Sequence, residues 1–199
     1  PNYRGSGGYG AAFRKAGFGQ WGRKMQTDLS DGVAALAAQG IVDPGRVCIV
    51  GGSYGGYAAL AGVTLQQGIY RCAVSAAGLS DLGQRLAEIG DSRSYASPMA
   101  HFERLALGAS WAGDPVLKQI SPVYHADQAS APILLIHGKD DSVVPISQSE
   151  HMAAALQKAG KPYVFTRLDG EDHWLSRQKT RAEMLRATVA FVEKWNPPN

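Results

Sequence analysis

Short apolar runs alternate with longer segments of helical periodicity along most of this chain. Val47-Cys48-Ile49-Val50, Cys72-Ala73-Val74, Ile133-Leu134-Leu135-Ile136 and Tyr163-Val164-Phe165-Thr166-Arg167 read as four strands. The first, four apolar residues bounded by turns, reads as fully buried. Between them lie helical patterns. One runs from about Asp28 to Gln39, with Val33, Leu36 and Ala37 on one face, Thr27 or Asp28 as its cap and Gly40 at its end. Others cover Tyr57 to Gln67, Gln148 to Ala159 and Arg181 to Trp195, the last with Leu185, Val189, Val192 and Trp195 along one side. Residues 1–26 are glycine-rich and aromatic and read as loop with at most a short helix. Residues 79–128, broken by Pro98, Pro115 and Pro122, read as helices and loops inserted above the sheet. Strands separated by helices imply a mostly parallel sheet with helices on both faces.

Composition narrows the field without choosing a function. A chain of 199 residues, 45% hydrophobic and 19% charged, is expected to form one globular domain over residues 1–199. No apolar run approaches the ~20 residues needed to span a bilayer. A net charge of +3, with no continuous basic run, argues against nucleic acid as a partner. The two cysteines, Cys48 and Cys72, lie in strand-like runs and are expected as buried free thiols. No Cys/His cluster has metal-ligand spacing, so no metal is expected. The chain begins at Pro1 and carries no signal segment. The N-terminus is read as missing and the compartment as open, with a soluble, cytoplasmic setting favoured.

The chemistry enters after the first strand. Gly51-Gly52-Ser53-Tyr54-Gly55-Gly56 follows Val47–Val50 and opens a helix, which is the strand–turn–helix setting of a G-x-S-x-G nucleophile elbow. The turn is sharp enough that side chains two residues either side of Ser53 are expected to collide, so glycine is expected to be required at Gly51 and Gly55. Tyr54, at the helix start, is expected to aim its backbone N–H at a developing oxyanion. A serine hydroxyl needs a base to take its proton. In this fold the acid and the base follow the serine in that order, on loops at the ends of later strands. The strand Ile133–Ile136 leads into His137-Gly138-Lys139-Asp140-Asp141, where Asp140 and Asp141 compete for the acid and position does not choose between them. The strand Tyr163–Arg167 leads into Glu171-Asp172-His173, which makes His173 the base. His101, His125 and His151 are read as structural or surface residues, and His137 lies before the acid loop.

These motifs, with Asn2-Tyr3-Arg4-Gly5-Ser6-Gly7-Gly8-Tyr9-Gly10, Asp43-Pro44-Gly45-Arg46-Val47 and Ser121-Pro122, span nearly the whole chain. Together they resemble the catalytic domain of the prolyl oligopeptidase family of serine peptidases, in its acylaminoacyl-peptidase and dipeptidyl-peptidase branch. The resemblance implies an α/β-hydrolase fold lacking its N-terminal strands. Counting along the family's H-G-x-x-D loop implies Asp141 as the acid. It further implies an enzyme cleaving peptide or acyl-peptide bonds through Ser53, Asp141 and His173, with Tyr54 in the oxyanion hole and no cofactor. A second oxyanion donor and a β-propeller are implied in upstream polypeptide, the expected partner of this chain. Self-association through the open sheet edge is the other expectation. A general carboxylesterase using the same residues, or an inactive fragment that assembles with its other half, are the alternatives. Leu79, Leu82, Leu105 and Trp111 are candidates for an apolar pocket wall. The stretch Gly5–Gly10 fits G-x-G-x-x-G, but no strand precedes it in the chain, so dinucleotide binding is rejected.

Overall fold

The computed structural model describes residues 2–91 and 98–198. In chain order the elements are α1 (Gly10–Lys15), α2 (Lys24–Ala38), β1 (Cys48–Gly52), α3 (Tyr54–Thr64), β2 (Cys72–Ala76), α4 (Leu82–Asp91), α5 (Pro98–Leu107), α6 (Pro115–Gln119), a 3-10 segment (Pro122–Gln128), β3 (Ile133–Gly138), α7 (Ser147–Lys158), β4 (Tyr163–Leu168) and α8 (Gln178–Trp195). They group into two compact units. One comprises Pro1–Val42 and Asp81–Ser121, the other Asp43–Ser80 and Pro122–Asn199. Among the described residues no helix is long and apolar enough to cross a membrane.

The second unit carries all four strands, in a parallel sheet of order β1-β2-β3-β4. Each return to a parallel neighbour needs a crossover, and α3, α7 and the helical segments before β3 supply it. β3 is buried along its whole length, as its unbroken apolar run predicts. Alternation sorts the side chains of β2 to two faces. Cys72 and Val74 join Leu134, Ile136, Leu168 and Phe191 in one core, against which Met184, Ala187, Val192 and Trp195 of α8 pack. Ser75 faces the other way, toward Gly56 of α3.

Three expectations need correction here. β1 is not fully buried: it is the edge of the sheet and Val50 is 54% exposed. Four apolar residues in a row do not distinguish a central strand from an edge strand whose second neighbour is absent. Cys48 and Cys72 are not free thiols. They are register partners on β1 and β2, with Cα atoms 4.7 Å apart, and are joined in a disulfide. Sequence separation hid a pairing that strand register imposes. On α8, Val192 and Trp195 pack as expected, but Leu185 and Val189 are exposed, and Met184, Ala187 and Phe191 complete the packed face. The helix also begins three residues earlier than its apolar pattern suggested, at Gln178.

The first unit is helical. α2 starts at Lys24, so neither Thr27 nor Asp28 caps it. Asp28 lies inside the helix, where its carboxylate accepts hydrogen bonds from the Arg4 backbone and guanidinium at 2.6–2.9 Å. That anchor draws the glycine-rich N-terminal segment onto α2. Leu36, expected on the buried face, is exposed. Gly19 N–H is shared between the carbonyls of Leu105 and Ala106, at 3.1 and 3.0 Å, which ties the N-terminal segment to the end of α5.

Candidate active site

The strand β1 ends in a turn that must reverse direction within two residues to start α3. Ser53 sits at its apex with φ 55° and ψ −120°. A non-glycine residue held there costs on the order of 1–3 kcal/mol, which the surrounding contacts must offset. One such contact is Ser53 N–H to the Ala76 carbonyl at the end of β2, 2.8 Å. Gly51 is required: a Cβ there would strike the carbonyl group of Gly55 and lie 2.8 Å from its Cα. Gly55 is not required in the same way, because a Cβ there meets no atom within 4 Å. The expected symmetry of the two glycines is therefore wrong: the collision is between the side chain of one and the backbone of the other. Tyr54 opens α3, the position from which a helix's first N–H groups point away from its body.

Two loops bring the other polar groups to this turn. After β3, Asp141 is 7% exposed and Asp140 is exposed to solvent. Asp141 Oδ1 accepts from the backbone N–H groups of Val143 and Val144, at 2.9 and 2.8 Å. Its Oδ2 accepts from His173 Nδ1 at 2.7 Å. With that nitrogen donating, a neutral His173 presents the Nε2 lone pair to Ser53 Oγ, 3.1 Å away. The side chains of His173 and Asp141 are 7% and 0% exposed, so the pair is screened from water. Ser53, Asp141 and His173 thus form one hydrogen-bonded chain, and all three lie in the second unit.

The two loops also hold each other. Lys139 N–H donates to the Leu168 carbonyl and Asp140 N–H to the Glu171 carbonyl, both at 3.0 Å. Gly138 makes this approach feasible, since a Cβ there would lie 2.8 Å from the Glu171 carbonyl carbon. The turn carrying His173 is cinched by Asp172. Its Oδ1 accepts from Trp174 N–H and Ser176 N–H, and its Oδ2 from the Ser176 hydroxyl. Hydrogen bonding from Ser176 holds the Asp172 carboxyl below its ordinary range. A cavity of about 230 Å³ opens beside Ser53 and His173, with Ala77, Ile136, Leu168 and Trp174 in its walls. Leu79, expected in a pocket wall, is buried in the same unit and does not line it.

Two residues of the site escaped sequence reasoning. His137 is 1% exposed and lies beneath Asp141, with Nε2 3.4 Å from Asp141 Oδ2. Its Nε2 is 2.8 Å from the Val144 carbonyl, which can only accept, so the proton is on Nε2. Nδ1 then accepts from the Ser149 hydroxyl at 2.7 Å. Burial pushes the His137 pKa below its usual value and keeps the ring neutral. The second is Glu171, fully buried next to His173. Their signals in the sequence were slight: His137 opens the H-G-x-x-D loop, and Glu171 lies two residues before His173.

A model of the prolyl oligopeptidase family matches residues 1–197. The chain belongs to the prolyl oligopeptidase family. It is 33% identical to the dipeptidyl aminopeptidase BIII of Pseudoxanthomonas mexicana over 96% of this chain and 28% of that protein. Among solved structures it resembles a puromycin-hydrolyzing peptidase of Mycobacterium tuberculosis, with TM-score 0.87 and 36% identity over 100% of this chain and 29% of the other. It also resembles the acylaminoacyl peptidase of Pyrococcus horikoshii, with TM-score 0.85 and 25% identity over 100% and 32%. The chain therefore has the α/β-hydrolase fold of these peptidases and spans less than a third of their length.

Proposed function

We propose that this chain is the catalytic portion of a serine peptidase that cleaves peptide or acyl-peptide bonds. The observation that carries the reading is the relay from Ser53 Oγ through His173 to Asp141, at 3.1 and 2.7 Å. In it, Ser53 Oγ attacks the substrate carbonyl carbon and its proton passes to His173 Nε2. Asp141 holds the ring in the tautomer that can accept and stabilises the cation that results. The Tyr54 N–H donates to the oxyanion, and a second donor comes from upstream polypeptide. Collapse of the tetrahedral adduct expels the amine, which takes the proton from His173. Water then resolves the acyl-enzyme by the same steps in reverse, with no cofactor.

The unpaired edge of β1, together with relatives more than three times as long, supports upstream polypeptide as the partner that completes the sheet. The dipeptidyl aminopeptidase and acylaminoacyl peptidase relatives support a peptide or acyl-peptide as the substrate class. The test compares dipeptidyl and acyl-aminoacyl anilides with short-chain esters, using the whole polypeptide and its Ser53→Ala variant. The reading expects anilide cleavage that the variant lacks. Cleavage of esters alone would point to a carboxylesterase, and anilide cleavage retained in the variant would remove Ser53 from the mechanism.

A further inference from the structure

Glu171 is 0% exposed, two residues before His173 and outside the Ser53–His173–Asp141 relay. A buried carboxylate is costly unless its oxygens are satisfied, and the donors that satisfy this one are informative. Oε1 accepts from Asp172 N–H at 3.0 Å. Oε2 accepts from Arg177 N–H at 3.3 Å and from the Thr180 hydroxyl. These donors lie on either side of His173: one opens its loop, and the others belong to the residue before α8 and to the first turn of α8. The side chain therefore closes the 172–177 loop from inside. Its main-chain carbonyl meanwhile accepts from Asp140 N–H, next to Asp141. The loop needs such a brace, since it contains Leu175 at φ 53° and places the exposed Trp174 beside the imidazole.

We propose that Glu171 is a positioning residue that holds His173 in register with both Ser53 and Asp141. This rests on the reading of Ser53 as the nucleophile. Without the carboxylate, the Asp172 and Arg177 N–H groups and the Thr180 hydroxyl lose their buried acceptor, and the loop is free to rearrange. A displacement of His173 by about 1 Å suffices to lower the rate on the order of 100-fold. The cavity keeps Ala77, Ile136 and Leu168 in its walls and shares Trp174 and Leu175 with the loop, so binding is affected less than the proton transfer. Glutamine restores part of the brace. Its oxygen can accept from Asp172 N–H, and the Thr180 hydroxyl can turn to the Arg177 carbonyl, 3.0 Å away, while accepting from the amide.

The test measures Glu171→Ala and Glu171→Gln in the whole polypeptide. Two quantities are read per folded molecule: kcat and KM on an ester, and the rate constant for inactivation by a fluorophosphonate. The inactivation needs Ser53 and His173 but no peptide subsite. Glu171→Ala is expected to lower kcat and the inactivation rate by about 10- to 100-fold, with KM changed less than kcat, and Glu171→Gln is expected to recover part of the loss. Thr180→Val, which removes one donor and leaves the carboxylate, is expected to lower both rates several-fold. It carries the test if Glu171→Ala does not fold. Parent rates per folded molecule in either variant, with loss confined to the folded fraction, would overturn the proposal and leave Glu171 a purely structural group. Mapping the fluorophosphonate to a residue other than Ser53 would instead remove the nucleophile reading, and the proposal with it.

Discussion

His137 Nε2 lies 3.4 Å from Asp141 Oδ2, with both side chains fully excluded from water. The same oxygen receives His173 Nδ1, so the carboxylate stands between two imidazoles that differ in their exposure to change. His173 faces Ser53, whereas His137 is locked by Val144 and Ser149. Its neutrality matters to the proposed relay, because a second cation at Asp141 would compete with the one that His173 would become on taking the serine proton.

Stability is therefore expected to fall in mild acid through His137. Its folded pKa is depressed below the ordinary ~6.5, so below that value the unfolded chain binds a proton that the folded chain refuses. Stability is full above the unfolded pKa and declines as pH drops beneath it. Denaturant midpoints between pH 7.5 and pH 5 measure the slope, and His137→Gln, which cannot titrate, should reduce it. An unchanged slope in the variant would assign the acid sensitivity to other groups.

Asp141 and Asp140 are adjacent but not equivalent. Asp141→Asn keeps an oxygen for the Val143 and Val144 N–H groups but turns an N–H toward His173. That favours the tautomer with a protonated Nε2, unable to accept from Ser53. Turnover should fall by about 10⁴. Asp140→Asn alters an exposed side chain and should change turnover by less than about two-fold, in line with other exposed substitutions. Steady-state kinetics of the two variants side by side decide the ranking.

The elbow glycines should separate in the same way. Gly51→Ala forces a methyl group into the Gly55 backbone and should cost about 3 kcal/mol or more, or prevent folding. Gly55→Ala places its methyl in open space within α3 and should leave stability unchanged or raise it by up to about 1 kcal/mol, since alanine favours helix. Urea denaturation of both variants measures the difference.

The disulfide predicts a thiol count. Unfolded without reductant, the protein should show no reactive thiol, and after reduction two. Replacing Cys48 and Cys72 together with serine should cost about 2–4 kcal/mol, the range for closing a loop of this length. Thiols titrating before reduction would restore the free-thiol reading of the sequence.

The sequence alone determined the strand set, the parallel architecture and the elbow. Each rests on local information: a short apolar run, a turn residue, or a glycine pattern whose geometry is complete within six residues. Chain order also narrowed the proposed acid to Asp140 or Asp141 and the proposed base to His173. The rest depended on which segments lie side by side. The Cys48–Cys72 bond follows from the register of β1 on β2, and no spacing rule encodes that register. The exposure of Val50 follows from β1 standing at the sheet edge, and that of Leu185 and Val189 from which face of α8 packs on β2, β3 and β4. His137 and Glu171 look like ordinary neighbours of the acid and the base in one dimension. Only when two loops close over the ends of β3 and β4 do their buried polar atoms find partners. Desolvation then makes those partners obligatory, because an unpaired polar group inside a protein costs more than any local preference of the chain can offset.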